Sequence, residues 1–140
     1  MTQHTVKRFE ASELMPVTTF MKQVMPADGI DRSVLENAVL AKNKDSLSGM
    51  VSFEKIDDLG VIRYFIYGQQ VQPDLLVNMF FELYANAKSR GVSQLVSITT
   101  NPHAFQLFEL LGFAEVSRPE AFQLDELETG EDVRVMSIKL

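Results

Sequence analysis

Cysteine is absent from this chain and histidine is scarce, which limits the nucleophilic and metal chemistry to consider. The sequence contains no cysteine, which excludes disulfides, thiolate metal sites and a cysteine nucleophile. The only histidines, His4 and His103, stand far apart in the sequence, which argues against a histidine-based metal site. The chemistry of a thiolate or of a histidine-bound metal is therefore not expected.

The most distinctive stretch is a thirteen-residue segment that starts at Asn101 and reads NPHAFQLFELLGF. Its apolar residues recur at helical spacing, and Gly112 can supply the left-handed residue that ends many helices. The apolar stripe consists of Phe105, Phe108 and Leu111. The segment therefore predicts a short helix that stops at a glycine.

The elements before this segment show first a strand pattern and then a helix pattern. Residues 61–67 (VIRYFIY) are rich in β-branched and aromatic residues and predict a central strand. A hairpin signal at residues 57–60, with glycine at its end, joins them to a strand at residues 50–56. Asp74 is expected to cap a long helix that Gly91 ends.

The sequence pattern of the N-terminal part predicts secondary structure less clearly. A strand is predicted at residues 5–9, followed by a helix that Ser12 caps and that runs towards Met25. A second helix is predicted at residues 32–40. The short apolar run there also fits a strand at residues 38–42, and its length does not decide between the two.

The C-terminal part adds a strand at residues 92–100, the short helix, and two closing strands at residues 113–117 and 133–140. Between the closing strands, residues 118–132 form a loop with six acids and one arginine, most simply a solvated connection. The element order is thus β-α-α-β-β-β-α-β-α-β-β.

This order and the thirteen-residue segment resemble the GCN5-related N-acetyltransferase (GNAT) family. The last helix of that family is written N-x-x-A-x-x-hydrophobic-Tyr-x-x-hydrophobic-Gly-Phe. The chain matches the pattern at Asn101, Ala104, Leu107, Leu111, Gly112 and Phe113. Phe108 stands where the family has tyrosine. The resemblance covers nearly the whole chain, and it implies a single domain over residues 1–140. The implied fold class is α/β (α+β), a mixed, largely antiparallel sheet flanked by helices.

In this family acetyl-CoA lies in a notch where the fourth strand splays away from the fifth. The resemblance implies that residues 61–67 and 95–100 are parallel neighbours that diverge near Tyr67. Backbone groups of the fourth strand pair with the pantetheine arm, and the pyrophosphate sits on a turn, Q/R-x-x-G-x-G/A, that opens the next helix. The cofactor-binding residues implied are Phe65, Ile66, Tyr67, Gln70, Val71, Asp74, Leu75, Asn101 and Phe108.

The phosphate turn departs from the family's pattern, because other residues fill both glycine positions in either register. One register places Val71, Asp74 and Leu76 in the named positions, and the other places Gln70, Pro73 and Leu75. Pro73 lacks a backbone donor, and Asp74 both repels a phosphate and competes for the N–H groups that it needs. Pro73 and Asp74 also fit an ordinary helix start. Acetyl-CoA, the co-substrate, is therefore expected to bind weakly or with its pyrophosphate placed unusually.

The acid and base of the reaction are not evident. Phe108 lacks the hydroxyl with which many members return a proton to the CoA thiolate, although several members work without it. Residues 61–67 contain no carboxylate for a general base. The remaining candidates are Glu54, Tyr67 and His103. Each also fits a structural role: a solvated strand residue, a sheet aromatic and a residue of the first helical turn.

Composition limits the partners. The net charge is −6 and no basic cluster stands out, which argues against nucleic acid. No signal peptide is evident and no apolar run is long enough to span a bilayer, so a cytoplasmic protein without a membrane partner is expected. The expected partner is a small-molecule or protein amine, and the resemblance also allows a homodimer.

Two functions follow from the resemblance. The first is an N-acetyltransferase that moves an acetyl group from acetyl-CoA to an unknown amine. The second is a catalytically silent module of the same fold that binds a protein or a small ligand. Missing glycines, a missing tyrosine and a missing general base support the second.

Overall fold

A single seven-stranded sheet forms the centre of the molecule. The computed structural model describes residues 4–23, 30–44, 46–68, 71–99, 102–116 and 134–140. The strands are β1 (His4–Arg8), β2 (Val39–Asn43), β3 (Ser46–Ile56), β4 (Leu59–Tyr67), β5 (Gln94–Thr99), β6 (Ala114–Val116) and β7 (Arg134–Lys139). Their order across the sheet is β1-β2-β3-β4-β5-β7-β6. All neighbours are antiparallel except β4 and β5, which confirms the mixed, largely antiparallel sheet.

Helices cover both faces of this sheet. They are a 3-10 turn (Ala11–Glu13), α1 (Leu14–Lys22), α2 (Arg32–Leu35), α3 (Pro73–Ser89) and α4 (Pro102–Leu110). The apolar stripe of α3 packs with α4 on one face of β2 and β3, where Phe53 and Phe80 are fully buried. On the other face α1 and α2 pack over Leu40 and Met50. The element order expected from the sequence is confirmed.

The N-terminal expectations are corrected in two places. Ser12 does not cap a helix: it lies inside the 3-10 turn, and α1 begins only at Leu14. The helix expected at residues 32–40 is a single turn, and the chain then enters β2, as the alternative strand prediction had it. Pairing with β1 and β3 decides this, since it buries both faces of the apolar run at residues 38–41.

The β3–β4 hairpin turns on two residues only. Asp57 and Asp58 form the turn, with Asp57 at a φ of 56°, and Ile56 pairs directly with Leu59. Gly60 therefore does not belong to the turn as the sequence pattern indicated. It lies in β4, where a Cβ would come within 2.7 Å of the Leu95 Cδ2 atom, so glycine leaves room for the Leu95 side chain to pack over β4.

Glycines end α3 and α4, as expected. Gly112 has a φ of 100°, and the N–H of Phe113 donates to the Phe108 carbonyl at 2.9 Å, a pattern that satisfies the last carbonyls of α4. Gly91, at a φ of 85°, ends α3 in the same way. The Tyr84 hydroxyl of α3 donates to the Leu111 carbonyl at 2.8 Å and ties the two helix ends together. Burial raises the pKa of the Tyr84 phenol.

A buried carboxylate joins the 3-10 turn to the edge of the sheet. Glu13 is 7% exposed and accepts hydrogen bonds from the Lys42 ammonium at 3.0 Å and the Lys7 ammonium at 3.1 Å. The bonds from Lys42, and secondly those from Lys7, hold the pKa of Glu13 below its ordinary value.

Replacing Glu13 by glutamine is expected to lower the free energy of unfolding by about 1.5–3 kcal/mol at neutral pH, because it removes the charge that both lysines face. The folded-state pKa is depressed, so this contribution is present above the unfolded pKa and is lost as the pH falls through the folded value. Urea unfolding at several pH values measures it. The control is Glu10→Gln, since the side chain of Glu10 is 66% exposed and pairs with Lys7 at 3.5 Å. Equal stability of Glu13→Gln and the parent protein at neutral pH would contradict the argument.

Candidate functional site

A notch opens between β4 and β5. The two strands pair only at Leu59–Gln94, Gly60–Leu95 and Val61–Val96. Beyond Val61, β4 continues to Tyr67 and β5 continues to Thr99 without pairing with each other. The expected parallel neighbours and their divergence are thus confirmed. The divergence starts after Val61, earlier than the sequence reasoning placed it.

A bulge in β4 lies at the point of divergence. Met50 pairs with Ile66 and Ser52 pairs with Arg63, so Val51 alone lies opposite two residues, Tyr64 and Phe65. Tyr64 has a φ of 52°, a left-handed conformation that costs a non-glycine residue about 1–2 kcal/mol. Bulges bend a strand and increase its local twist, which accounts for the departure of β4 from β5.

The Tyr64 side chain is also anchored. Its hydroxyl accepts a hydrogen bond from the Asp31 N–H at 2.8 Å, next to the start of α2. The Asp31 carboxylate in turn caps α2 by accepting from Ser33, and the Ser33 hydroxyl and N–H lower the pKa of Asp31. The bulge is therefore stabilised in two ways: by the β3 pairing on either side of it, and by the hydrogen bond from Asp31 to the Tyr64 hydroxyl.

The edge of β4 that faces the notch offers backbone groups for hydrogen bonding. The Gly68 N–H donates to the Ser48 carbonyl of β3 at 3.1 Å. Polar backbone groups alternate along a strand, so those of Tyr67 point to the opposite edge, into the notch. Within the described residues, no strand covers this edge of β4 between Ile62 and Tyr67. An extended polar ligand could add itself there as a strand would.

Aromatic rings line the α3 side of the notch. Phe65 has its ring centroid 5.0 Å from Tyr67, 5.1 Å from Phe80 and 5.9 Å from Phe108. Phe108 is 2% exposed and lies 5.0 Å from Phe113, whereas Tyr67 is 44% exposed at the strand end. Phe108 is therefore a core residue in this structure, and Tyr67 is the accessible ring.

The start of α3 differs from the expected capped helix. Gln72 is the N-cap residue, Pro73 is the first residue of the helix, and Asp74 follows it, so Asp74 is not the cap. Proline fits this position because its missing N–H would have no helical partner. The N–H groups of Leu75 and Leu76 donate to the Gln72 carbonyl, at 3.0 and 3.2 Å. Among the described residues, no hydrogen bond reaches the Asp74 carboxylate.

Three further residues that the sequence predicts to bind the cofactor lie in the core or on the other face of the sheet. Val71 and Leu75 are 7% and 8% exposed and pack into the core, so a ligand could meet them only through their backbone. Ile66 points to the other face of the sheet, towards α1. Gln70 and Asn101 lie outside the described residues, as does the acidic loop at residues 118–132.

The three candidate bases are not brought together. Glu54 lies opposite Val61 in the hairpin and forms an ion pair with Arg63 at 3.3 Å. It is six strand positions, about 20 Å, from the level of Tyr67. Tyr67 is at the far end of the notch, and His103 is exposed in the first turn of α4.

Sequence reasoning missed Tyr64 as a residue that shapes the site. The irregularity is visible in the structure, where Ile62 and Phe65 both pack against the core on the α3 side although three positions separate them, whereas a regular strand requires an even spacing. The sequence carries no clear signal of it, because apolar and aromatic residues occupy both odd and even positions of residues 61–67. Over the described ranges, no group of three or more metal-ligating side chains comes together. Of the helices in those ranges, none is both long and apolar enough to cross a membrane.

No family model and no curated protein sequence matches the chain. Solved structures do. The chain is similar over 100% of its length to N-acetylglutamate synthase from Neisseria gonorrhoeae complexed with coenzyme A and N-acetyl-glutamate, with a TM-score of 0.74 and 14% identity. It spans 36% of that protein, about a third of its length.

Two further similarities extend over nearly the whole of both chains. The ribosomal-protein-S18-alanine N-acetyltransferase from Escherichia coli has a TM-score of 0.68 and 17% identity, with 98% of this chain and 94% of that one covered. An acetyltransferase of the GNAT family from Staphylococcus aureus has a TM-score of 0.67 and 13% identity, with 99% of each covered. At these identities the similarity establishes the fold.

Proposed function

We propose that this chain, which has the fold of the GNAT acetyltransferases, transfers an acetyl group from acetyl-CoA to an amine. One observation carries the proposal: β4 leaves β5 after Val61, and no strand in the described part of the chain pairs with this edge of β4 as far as Tyr67. Pantetheine carries amide groups that can pair with such an edge. The coenzyme A in the structure of N-acetylglutamate synthase supports the same donor here.

The proposed reaction is a direct transfer. The amine nitrogen attacks the thioester carbonyl carbon, and β4 backbone N–H groups that point into the notch stabilise the charge on the carbonyl oxygen. The carbon–sulfur bond breaks and CoA leaves as a thiolate, and the proton that the amine nitrogen loses is passed to that thiolate through an acid–base group or water. Tyr67 is the favoured candidate among the acid–base groups, because it is 44% exposed and lies on the notch. Glu54 is the least favoured, since it is paired with Arg63 at the hairpin end.

The phosphate end of acetyl-CoA fits less well than the pantetheine end. Pro73 offers no N–H, and the Leu75 and Leu76 N–H groups already bond to the Gln72 carbonyl. The Asp74 carboxylate adds a like charge next to the place where a pyrophosphate would sit. We therefore expect a dissociation constant weaker than micromolar, which corresponds to less than about 8 kcal/mol of binding free energy.

A second function, a catalytically silent acetyltransferase-like module, is favoured by a different observation. Phe108 stands in the tyrosine position, has no hydroxyl and is buried among Phe65, Phe80 and Phe113. Such a module would keep the fold and bind a protein or small ligand without turnover.

Backbone amide NMR with an acetyl-CoA titration tests the proposal. Acetyl-CoA is expected to shift the amide signals of Phe65 and Tyr67, while those of β1 serve as an internal control on the far edge of the sheet. A thiol-release assay with a panel of amines then follows turnover. Shifts together with amine-dependent thiol release support the enzyme, and shifts without release over the panel support the silent module. Absence of notch shifts at millimolar acetyl-CoA would contradict the acetyl-CoA proposal.

A further inference from the structure

A groove lies on the α1 side of β4, on the face that Ile66 shares with Met50 of the core. Its volume is about 510 Å³ and it is open to solvent, which suits a small molecule or a short segment of a larger one. The floor comes from the ends of β3 and β4, and the wall comes from α1. The groove and the notch therefore lie on either side of the same strand end.

The groove differs from the rest of the surface in charge. Charged residues make up 23% of the sequence, yet none of the described residues that line the groove is charged. Its polar side chains include Thr19, Gln23 and Ser46, and its apolar ones include Pro16, Phe20 and Ile66. It can thus donate and accept neutral hydrogen bonds next to an apolar wall, and it offers no described partner for an ion.

This lining discriminates between classes of amine. A free amino acid would place its carboxylate where no described cation can pair with it, and a polyamine would place its second ammonium where no described carboxylate can. Desolvating an ion without a partner is costly, whereas an amide or hydroxyl can exchange its water for Thr19, Gln23 or Ser46. Complementarity therefore favours a ligand that is uncharged away from its reactive amine.

We propose that the groove holds the acceptor and selects amines whose remaining groups are uncharged, with an amide or hydroxyl beside an apolar part. The inference rests on the proposed function, because the acceptor must reach the notch. Ile66, Tyr67 and Gly68 line the groove, while the open edge of β4 faces the notch. An acceptor in the groove would direct its amine across β4 towards the donor.

Two matched probes test the selectivity: phenylalaninamide and phenylalanine, which share the amine and ring and differ in the amide or carboxylate. NMR titrations are expected to show the amide binding at least about tenfold more tightly, with shifts at Ile66 and Gly68. Thr19→Lys places a cation in the groove and should reduce or reverse that preference. Asn78→Lys adds the same charge on α3, on the other face of the sheet, and should leave it unchanged.

The inference is overturned by equal binding of both probes, by no binding of either, or by the same loss of preference in Asn78→Lys as in Thr19→Lys. Thr19 is exposed, and thermal unfolding of each variant checks that the fold is kept. The acetyl-CoA titration separates this result from the proposed function. Preference for the amide without acetyl-CoA binding would remove the transferase and keep a neutral-ligand site. Acetyl transfer without preference would keep the transferase and remove the selectivity.

Discussion

Replacing Phe108 by alanine is expected to lower the free energy of unfolding by about 3–5 kcal/mol, a large part of the stability of a chain this size. The ring is 2% exposed and forms edge contacts with Phe65, Phe80 and Phe113. Its removal leaves a cavity and breaks aromatic contacts at the centre of the cluster. Urea unfolding measures the change.

The control for this experiment is Phe81→Ala. Phe81 also belongs to an aromatic contact, with Tyr84 at 6.2 Å, but it is 64% exposed on α3. Its loss should change the unfolding free energy by only about 0.5 kcal/mol. A small effect of Phe108→Ala, similar to that of the control, would show that the ring does not hold the α3–α4 core together.

A gentler substitution, Phe108→Tyr, separates the structural role of the residue from a catalytic one. A hydroxyl placed among three phenyl rings lacks a described polar partner, so the change should destabilise the protein by about 1–3 kcal/mol. If the chain is an enzyme, turnover in the thiol-release assay should stay the same or rise, since the hydroxyl can protonate the leaving thiolate. A destabilised variant, with neither protein consuming acetyl-CoA, favours the silent module.

The sequence predicted those features of the fold that depend on local pattern or on element order. Gly91 and Gly112 end helices because a left-handed residue costs glycine little, and no distant contact is needed to decide this. The parallel pairing and divergence of β4 and β5 followed from the family resemblance and from the position of residues 61–67 in the order.

Features that depend on tertiary contacts were predicted less well. Ser12 and Asp74 are residue types that favour caps, but Ser12 lies inside a 3-10 turn, and Pro73 takes the first position of α3. Residues 38–41 fit either a helix or a strand by local pattern, and pairing with β1 and β3 makes the run a strand from Val39. Tertiary pairing outweighs a propensity of a few tenths of a kcal/mol per residue.

The candidate site likewise combines features that local sequence patterns predict with features that depend on tertiary contacts. Phe65, Tyr67 and Phe108 do come together, because alternation in β4 and the helical spacing in α4 direct them to one face. The depth of the notch could not be predicted, since it is set by the bulge at Tyr64 and by a hydrogen bond from Asp31, which is 33 residues away in the sequence. The groove beside α1 could not be predicted either, because it is formed by three segments that are distant in the sequence.

The second large effect is expected at the start of α3, where substitutions in the phosphate turn should change the affinity for acetyl-CoA. The double replacement Pro73→Gly and Asp74→Gly is expected to tighten acetyl-CoA binding by about tenfold, or about 1.4 kcal/mol. It restores a backbone N–H at the first position of α3 and removes a carboxylate from the positive end of that helix. Calorimetry at low and high salt measures the gain, and the part due to Asp74 should shrink at high salt because ions screen exposed charges.

Two comparisons make this result specific. Asp74→Asn alone isolates the charge. Glu36→Gln removes one exposed negative charge at the end of α2, beside Arg90 at the opposite end of α3 from the phosphate turn, and should leave acetyl-CoA affinity unchanged. Glycine near a helix start costs some stability, so thermal unfolding must show that the double variant remains folded at the assay temperature. A folded double variant that binds acetyl-CoA no more tightly than the parent would mean that Pro73 and Asp74 do not block the turn. The open edge of β4 would then have to serve a ligand without a pyrophosphate.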